Sequence, residues 1–574
     1  MFHRLIALFG AILLLCTAAF AQTPPLPDAM HHPNAGRKGM VSAEEKLAAQ
    51  IGADILAKGG NAVDAAVATG FALAVTYPAA GNLGGGGFML VHLKDENKTI
   101  AIDYRETAPA AASRDMYLDE TGEVDSDAIL KTLKGAGTPG TVAGLLHALD
   151  QYGTMSRKEV MAPAIRLAEK GYALPYFNIA IVEAFRERLS RNEAARAEFF
   201  KPDGAGYLPG EVMKRKDLAR TLKRIAKEGA DGFYRGPAAE AIAAEMEAKG
   251  GLITLADLEN YKVVEREPLR GTFRGYEIVS MPPPSSGGVH LIQMLNMLDT
   301  REAHLGQSDS ADDLHFLAEV MRLAYADRAT HLGDPDFTDV PVAGLTSKEY
   351  AQALVENIDA NAAMDSSEIG AGDPFPFEGR HTTHYSVMDK DGNMVANTYT
   401  LNASFGSGVV IPGTGVLMNN EMDDFSAAPG VPNYYGLVGD EKNAIAPLKR
   451  PLSSMTPTLV FKDGEPYMAV GAQGGSRIIT AVLQVLINVI DRGMNIADAT
   501  DHPRIHHQWL PDRLYYEPGL SADTIRLLEQ KGHELEPFDW HATPHSLLLK
   551  EGWIYGASDS RVPGGAACSP DGGC

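Results

Sequence analysis

The chain has 574 residues, several domains' worth by length alone. Hydrophobic residues make up 45% and charged residues 22%, the balance of a soluble globular protein. A net charge of -23 argues against a nucleic-acid or anionic-membrane binder, both of which need a basic face, and three Cys exclude a disulfide scaffold and a Cys-built zinc or iron–sulfur site.

The first segment reads as a secretory signal. Met1–Arg4 is short and basic, Leu5–Leu15 is apolar, and Ala19-Phe20-Ala21 fits a cleavage site. Residues 1–21 are therefore expected to leave, giving a periplasmic or secreted protein that starts at Gln22 and has no membrane span. A lipid anchor at Cys16 is disfavoured by the bulky Leu15 before it. Cys568 and Cys574 then remain in a Gly/Pro tail, and their pairing is open.

Ser42-Ala43-Glu44-Glu45 has the form of a capping box, and Leu47, Ile51 and Ile55 recur every four residues before Gly59-Gly60. A helix is expected there, followed by a tightly buried Ala-rich helix over Asn61–Val75. Phe88–Leu93 and Thr99–Tyr104 predict a β-hairpin, and residues 155–270 read as mostly helical. Tyr385–Met388 and Met394–Asn402 flank Asp391-Gly392, a strong hairpin signal. With the turn near residue 391, partner numbers sum to about 782, so Thr382 should face Thr400 at a Cβ distance of roughly 5 Å. A second hairpin joins Thr458–Phe461 to Tyr467–Val470. Gly471–Ser476 then leads into an apolar helix over Ile478–Ile490, and such a turn offers backbone N–H groups to an anion.

Several motifs lose on inspection. Gly81–Gly87 lies between a helix and a following strand, the reverse of a dinucleotide fingerprint, and reads as close backbone packing. His381 and His384 would point to opposite faces of a strand, and His31-His32 and His506-His507 lack partners at ligand spacing, so no metal is expected. There is no G-x-S-x-G elbow, and Ser285–Gly288 reads as a structural loop.

The run Thr382–Val387, Asp391–Val395, Thr398–Asn402 and Phe405-Gly406 resembles the signature of the γ-glutamyltransferases. Gly81–Leu90, Asp103–Glu106, Gly137–Thr141, Asn419–Phe425, Arg450–Met455 and Gly474–Arg477 match the same family in the same order, so the resemblance runs from about residue 35 to 567. It implies an N-terminal-nucleophile hydrolase of the α/β (α+β) class, a four-layer αββα sandwich formed jointly by two subunits. The implied cut falls between His381 and Thr382, leaving a large subunit of 22–381 and a small catalytic subunit of 382–574 as a heterodimer.

By the same resemblance Thr382 is the nucleophile and Thr400 orients it, while Gly474 and Gly475 supply the oxyanion donors. Arg105, with Ser453 and Ser454, takes the α-carboxylate of a γ-glutamyl group; Asn402, Glu421 and Asp424 take its α-amine. Glu421 stands where some bacterial members have Gln. Pro429–Tyr435 resembles the lid that some bacterial members carry over the site, with Tyr435 as its wall residue. The implied substrates are glutathione and related γ-glutamyl compounds, with water, amino acids or peptides as acceptors and no cofactor. Two rivals stand beside this reading: a β-lactam side-chain acylase of the same superfamily, and a matured but inactive binding protein.

Overall fold

The computed structural model describes residues 29–302, 309–372, 383–538 and 542–574. Residues 1–21, expected to be a signal, lie outside the described residues, as do Thr382 and the bond before it.

Fourteen strands build two mixed-origin sheets: β1 Asn34–Gly36, β2 Gly39–Ala43, β3 Gly86–Leu93, β4 Lys98–Tyr104, β5 Val264–Arg266, β6 Leu269–Phe273, β7 Tyr276–Ser280, β8 Thr383–Asp389, β9 Met394–Thr400, β10 Thr458–Lys462, β11 Glu465–Gln473, β12 Thr543–Lys550, β13 Trp553–Ser558 and β14 Ala566–Cys568. One sheet has the order β1-β13-β12-β11-β10-β7-β6 and the other β14-β2-β8-β9-β3-β4-β5, each seven strands wide. Neighbours within both are antiparallel. The chain is thus an α/β protein with antiparallel sheets.

The period of two in the strands decides which face meets what. Met388, Met394, Ala396, Phe88 and Leu90 join Leu459, Ala469 and Leu547 in a dry layer between the sheets. Their alternates Tyr385, Val387, Val395 and Tyr399 face the helices α1 Lys46–Ala57, α2 Ala62–Thr76 and α3 Thr141–Tyr152. On the far side, Val460, Met468 and Val470 pack on α4 Gly287–Leu298, α5 Ala311–His331 and α6 Arg477–Ile490. Every residue of α2 is buried, as its small side chains require, and Asn61 and Asp64 close a capping box at its start.

The helix start expected at Ser42 is corrected. Ser42 belongs to β2, opposite Ser386, and its hydroxyl donates to the Ala557 carbonyl at 2.7 Å. Glu45 caps α1 instead, accepting from the Leu47 and Ala48 N–H groups at 3.1 and 3.0 Å. Sheet pairing claimed the serine, and the next carboxylate took its task. Leu47 is 37% exposed, and the buried face of α1 is made of Ala48, Ala49, Gly52 and Ala53 with Ile55 and Leu56 at its end.

Both hairpins form. Thr383 to Met388 pair with Tyr399 down to Met394 in one unbroken register. Lys462 faces Glu465 across Asp463 and Gly464, whose φ values of 53° and 79° are the left-handed pair a two-residue hairpin turn needs. Residues 155–270 are mostly helical, with Arg157–Lys170, Lys216–Glu228 and Gly236–Lys249 the longest helices. Cys568 and Cys574 form a disulfide that folds the tail against β1 and β2, where Asp571 accepts from the Arg37 and Lys38 N–H groups. Among the described residues no helix is long and apolar enough to cross a membrane.

Candidate active site

Thr400 ends β9 opposite Gly86. A Cβ on Gly85 would stand 1.8 Å from the Thr400 carbonyl, so the glycine run is a close backbone approach, as its order of elements predicts. The Thr400 carbonyl accepts from the Asn82 amide at 2.7 Å, and its Oγ1 accepts from the Asn402 N–H at 2.8 Å. That bond holds Asn402 at a φ of 68°, a left-handed backbone that Asn tolerates better than most residues. The Asn402 amide nitrogen donates to the Asn420 carbonyl and to Asp423, while its Oδ1 is buried with no hydrogen-bond partner.

Behind Asn402 lies a cluster of buried charge. Arg105 follows β4 and is fully buried. Its guanidinium pairs with Glu421 and Asp424, approaches Glu106 at 3.6 Å, and donates to the Pro451 and Leu452 carbonyls at 3.0 Å each. Burial pushes the Glu106 carboxyl up to about 7 against the pull of Arg105, and burial drives Glu421 well above the usual carboxylate range. One guanidinium among three crowded carboxyls favours their partial protonation. The two expected ends of the pocket thus meet: the cation and the acids intended for opposite charges satisfy each other here.

Ser453 and Ser454 are buried beside this cluster. The Ser453 carbonyl accepts from Ser286 N–H at 2.7 Å, and its N–H donates to the Pro284 carbonyl at 2.8 Å, so the Pro/Ser/Gly loop clamps this segment. The Ser454 hydroxyl accepts from Arg328 at 2.7 Å.

Gly474 and Gly475 lie between β11 and α6 with φ values of 131° and 69°. A Cβ on Gly474 would meet the Ala542 backbone at 2.5 Å. Gly474 lines a cavity of about 480 Å³ together with Asn402, Tyr434, Tyr435 and Gln473. The Tyr435 hydroxyl donates to the Asn402 carbonyl at 3.3 Å, its ring packs edge-on against Tyr434 at 4.4 Å, and the residue stands in the cavity wall. Arg105, Glu421, Asp424 and the serines lie outside that wall, covered.

Some participants escaped the sequence reading. Glu106 sits in a quoted motif without a role. Glu44, fully buried, accepts from Gln473 at 2.6 Å and bonds His545, bracing the turn before Gly474 from more than four hundred residues away in the chain. No local pattern announces such a contact. His315, Glu319 and His533 converge as a group of metal-ligand type. His315 and His533 bond each other at 2.8 Å and Glu319 holds Arg322, so the trio is engaged as a hydrogen-bond network. His384 is buried and held neutral by desolvation, bonded to Thr398 and Ser386.

A family model described as gamma-glutamyltranspeptidase matches residues 48–569. The chain belongs to the γ-glutamyltranspeptidase family. It is an enzyme of the γ-glutamyltransferase and hydrolase class. It is 50% identical to the glutathione hydrolase proenzyme of Escherichia coli strain K12, over 98% of each chain. Among solved structures, a cephalosporin acylase from Bacillus halodurans superposes with a TM-score of 0.85 at 28% identity, covering 96% of this chain and 99% of that one. The γ-glutamyltranspeptidase of Helicobacter pylori gives a TM-score of 0.56 at 42% identity, covering 61% of this chain and 97% of that one.

Proposed function

We propose that the protein is a self-cleaving γ-glutamyl hydrolase and transferase acting on glutathione and related compounds. The chain is cut between His381 and Thr382, so that subunits 22–381 and 382–574 form a heterodimer sharing one four-layer αββα sandwich. Removal of residues 1–21 delivers it to the periplasm or the medium.

A Thr hydroxyl needs a base near neutral pH, and an α-amine with a pKa of roughly 7.7–8.0 can be one. Only the cut gives Thr382 that amine. Its hydroxyl then attacks the γ-carbonyl, with Gly474 and Gly475 N–H groups stabilising the oxyanion and Thr400 orienting the attack. The amine of the leaving peptide departs, and water or a peptide amine resolves the ester.

The observation that carries this reading is the buried cluster of Arg105 with Glu421 and Asp424. A ligand with only a carboxylate would enter among acids at a cost. A zwitterion brings both charges, exchanging the internal pairs of Arg105 for pairs with the ligand: its carboxylate to Arg105, Ser453 and Ser454, its amine to Asp424, Glu421 and the Asn402 Oδ1. The likeness to a cephalosporin acylase favours a second reading, hydrolysis of a side-chain amide, but an acyl group without an amine leaves the two acids unanswered.

Purified protein incubated with glutathione should release glutamate, and with a dipeptide present should also yield its γ-glutamyl derivative by mass spectrometry. Inertness toward glutathione alongside turnover of a glutaryl amide would favour the acylase reading.

A further inference from the structure

The cavity beside Gly474 contains one charged side chain that the chemistry above does not employ. Arg477 opens α6, and its side chain lines the same wall as Gln473, Gly474 and Asn402. No carboxylate among the described residues lines that cavity.

Arg477 is half-buried and differs from the buried Arg105, Arg322 and Arg504. Arg105, Arg322 and Arg504 each hold carboxylates. Among the described residues Arg477 makes no ion pair, and its Nε is buried with no hydrogen-bond partner. Its guanidinium is instead laid over the Phe538 ring at 3.8 Å and reaches the Tyr515 ring at 5.3 Å. Stacking holds the planar fork in one orientation while leaving its edge to a ligand, and arginine stays charged through the neutral range. Burial works against that charge, so an arriving anion relieves the site.

We propose that Arg477 binds the C-terminal carboxylate of the dipeptide on the far side of the γ-glutamyl bond. This rests on the γ-glutamyl reading, since it takes the reacting carbonyl to lie at Gly474. A cavity of about 480 Å³ suits a dipeptide, and the Tyr77, Phe185 and Tyr434 rings offer its side chain an apolar wall. By microscopic reversibility the entering amine follows the path of the leaving one. One guanidinium therefore reads a carboxylate from either source, the leaving peptide or the acceptor.

The test uses matched pairs on the full matured protein. Glutathione and its C-terminal amide are compared as donors; glycylglycine and glycylglycinamide are compared as acceptors, with γ-glutamyl-p-nitroanilide as donor. A hydrogen bond to a charged group implies a preference for carboxylate over amide of roughly ten- to a hundredfold in kcat/KM. In Arg477→Gln that ratio should collapse toward one, and Arg477→Lys should keep part of it. A ratio retained in Arg477→Gln overturns the proposal. So does a parent that treats acid and amide alike, which decides the matter even where the Gln variant does not mature. A selective effect in the donor arm alone restricts the site to the leaving peptide and overturns the shared-path claim. Failure of the parent to cleave γ-glutamyl-p-nitroanilide would instead overturn the underlying γ-glutamyl reading, and this proposal with it.

Discussion

Thr383 stands directly opposite Tyr399 across β8 and β9, and the same register continues down to Met388 and Met394. Thr400 follows Tyr399 at the end of β9, and the hairpin expectation from the sequence sets it opposite Thr382. Thr382→Ala removes the hydroxyl proposed to attack the preceding carbonyl. Denaturing electrophoresis should show one uncut chain where the parent shows two. Two bands of parental size in the variant would refute the assigned cut.

Thr400→Ala should slow both cutting and turnover while the protein still folds. It deletes the acceptor that holds the Asn402 N–H at 2.8 Å, along with the proposed bond to the nucleophile. A net loss of about 1 kcal/mol per hydrogen bond predicts roughly a fivefold drop for each. Time courses of band conversion and of glutathione hydrolysis measure the two effects, and parental rates in both would show that Thr400 orients nothing.

Arg105→Ala strips Glu421 and Asp424 of their shared cation, and Asp424→Ala removes one of the carboxylates paired with Arg105. Such truncations cost about 2–5 kcal/mol, so kcat/KM for glutathione should fall about thirtyfold to several-thousandfold. The preference for γ-glutamyl over glutaryl amides should shrink in Asp424→Ala, because the amine has lost its acceptor. An unchanged preference in that variant contradicts the assignment.

Glu421→Gln should keep parental activity at pH 7 within a few-fold. Burial pushes the Glu421 carboxyl well above its usual range, against the pull of Arg105, which favours the protonated form that an amide imitates. Loss of glutathione capture in this variant would mean that the negative charge itself binds the amine.

Glu106 carries a pH dependence. Its pKa of about 7 in the fold lies above the ordinary 4.5, so the folded state binds a proton more tightly than the unfolded chain. Its contribution to stability is fully present below about 4.5 and is lost as the pH rises through about 7. Relative to Glu106→Gln, the parent should therefore lose thermal stability across that window. Parallel Tm-against-pH curves for the two proteins would disprove it.

The elements written in local code were legible beforehand. Asp391-Gly392 and Asp463-Gly464 announce their hairpins, and the first of these sets the β8–β9 register that locates Thr400. The Ala-rich stretch of α2 announces its burial. What was not legible depends on distant pairing. Ser42 carries a perfectly good capping pattern that β8 and β13 overrule. Glu44 reaches Gln473 only because β2 and β11 belong to facing sheets. The family motifs name Arg105, Glu421 and Asp424, yet spacing says nothing of their mutual contact, which the fold alone creates.

Both sheets mix strands from before and after position 382: β2 sits between β14 and β8, and β1 is held by β13. While the chain is whole, folding is a one-molecule event whose balance ignores dilution. A cut at that position would turn the reverse of unfolding into an encounter of two chains, each lacking strands the other owns. The stability of the matured protein would then rise with its concentration, and that of the precursor would not. Once dissociated at low concentration, the two halves should recover slowly and incompletely, because neither carries a complete sheet on which to begin.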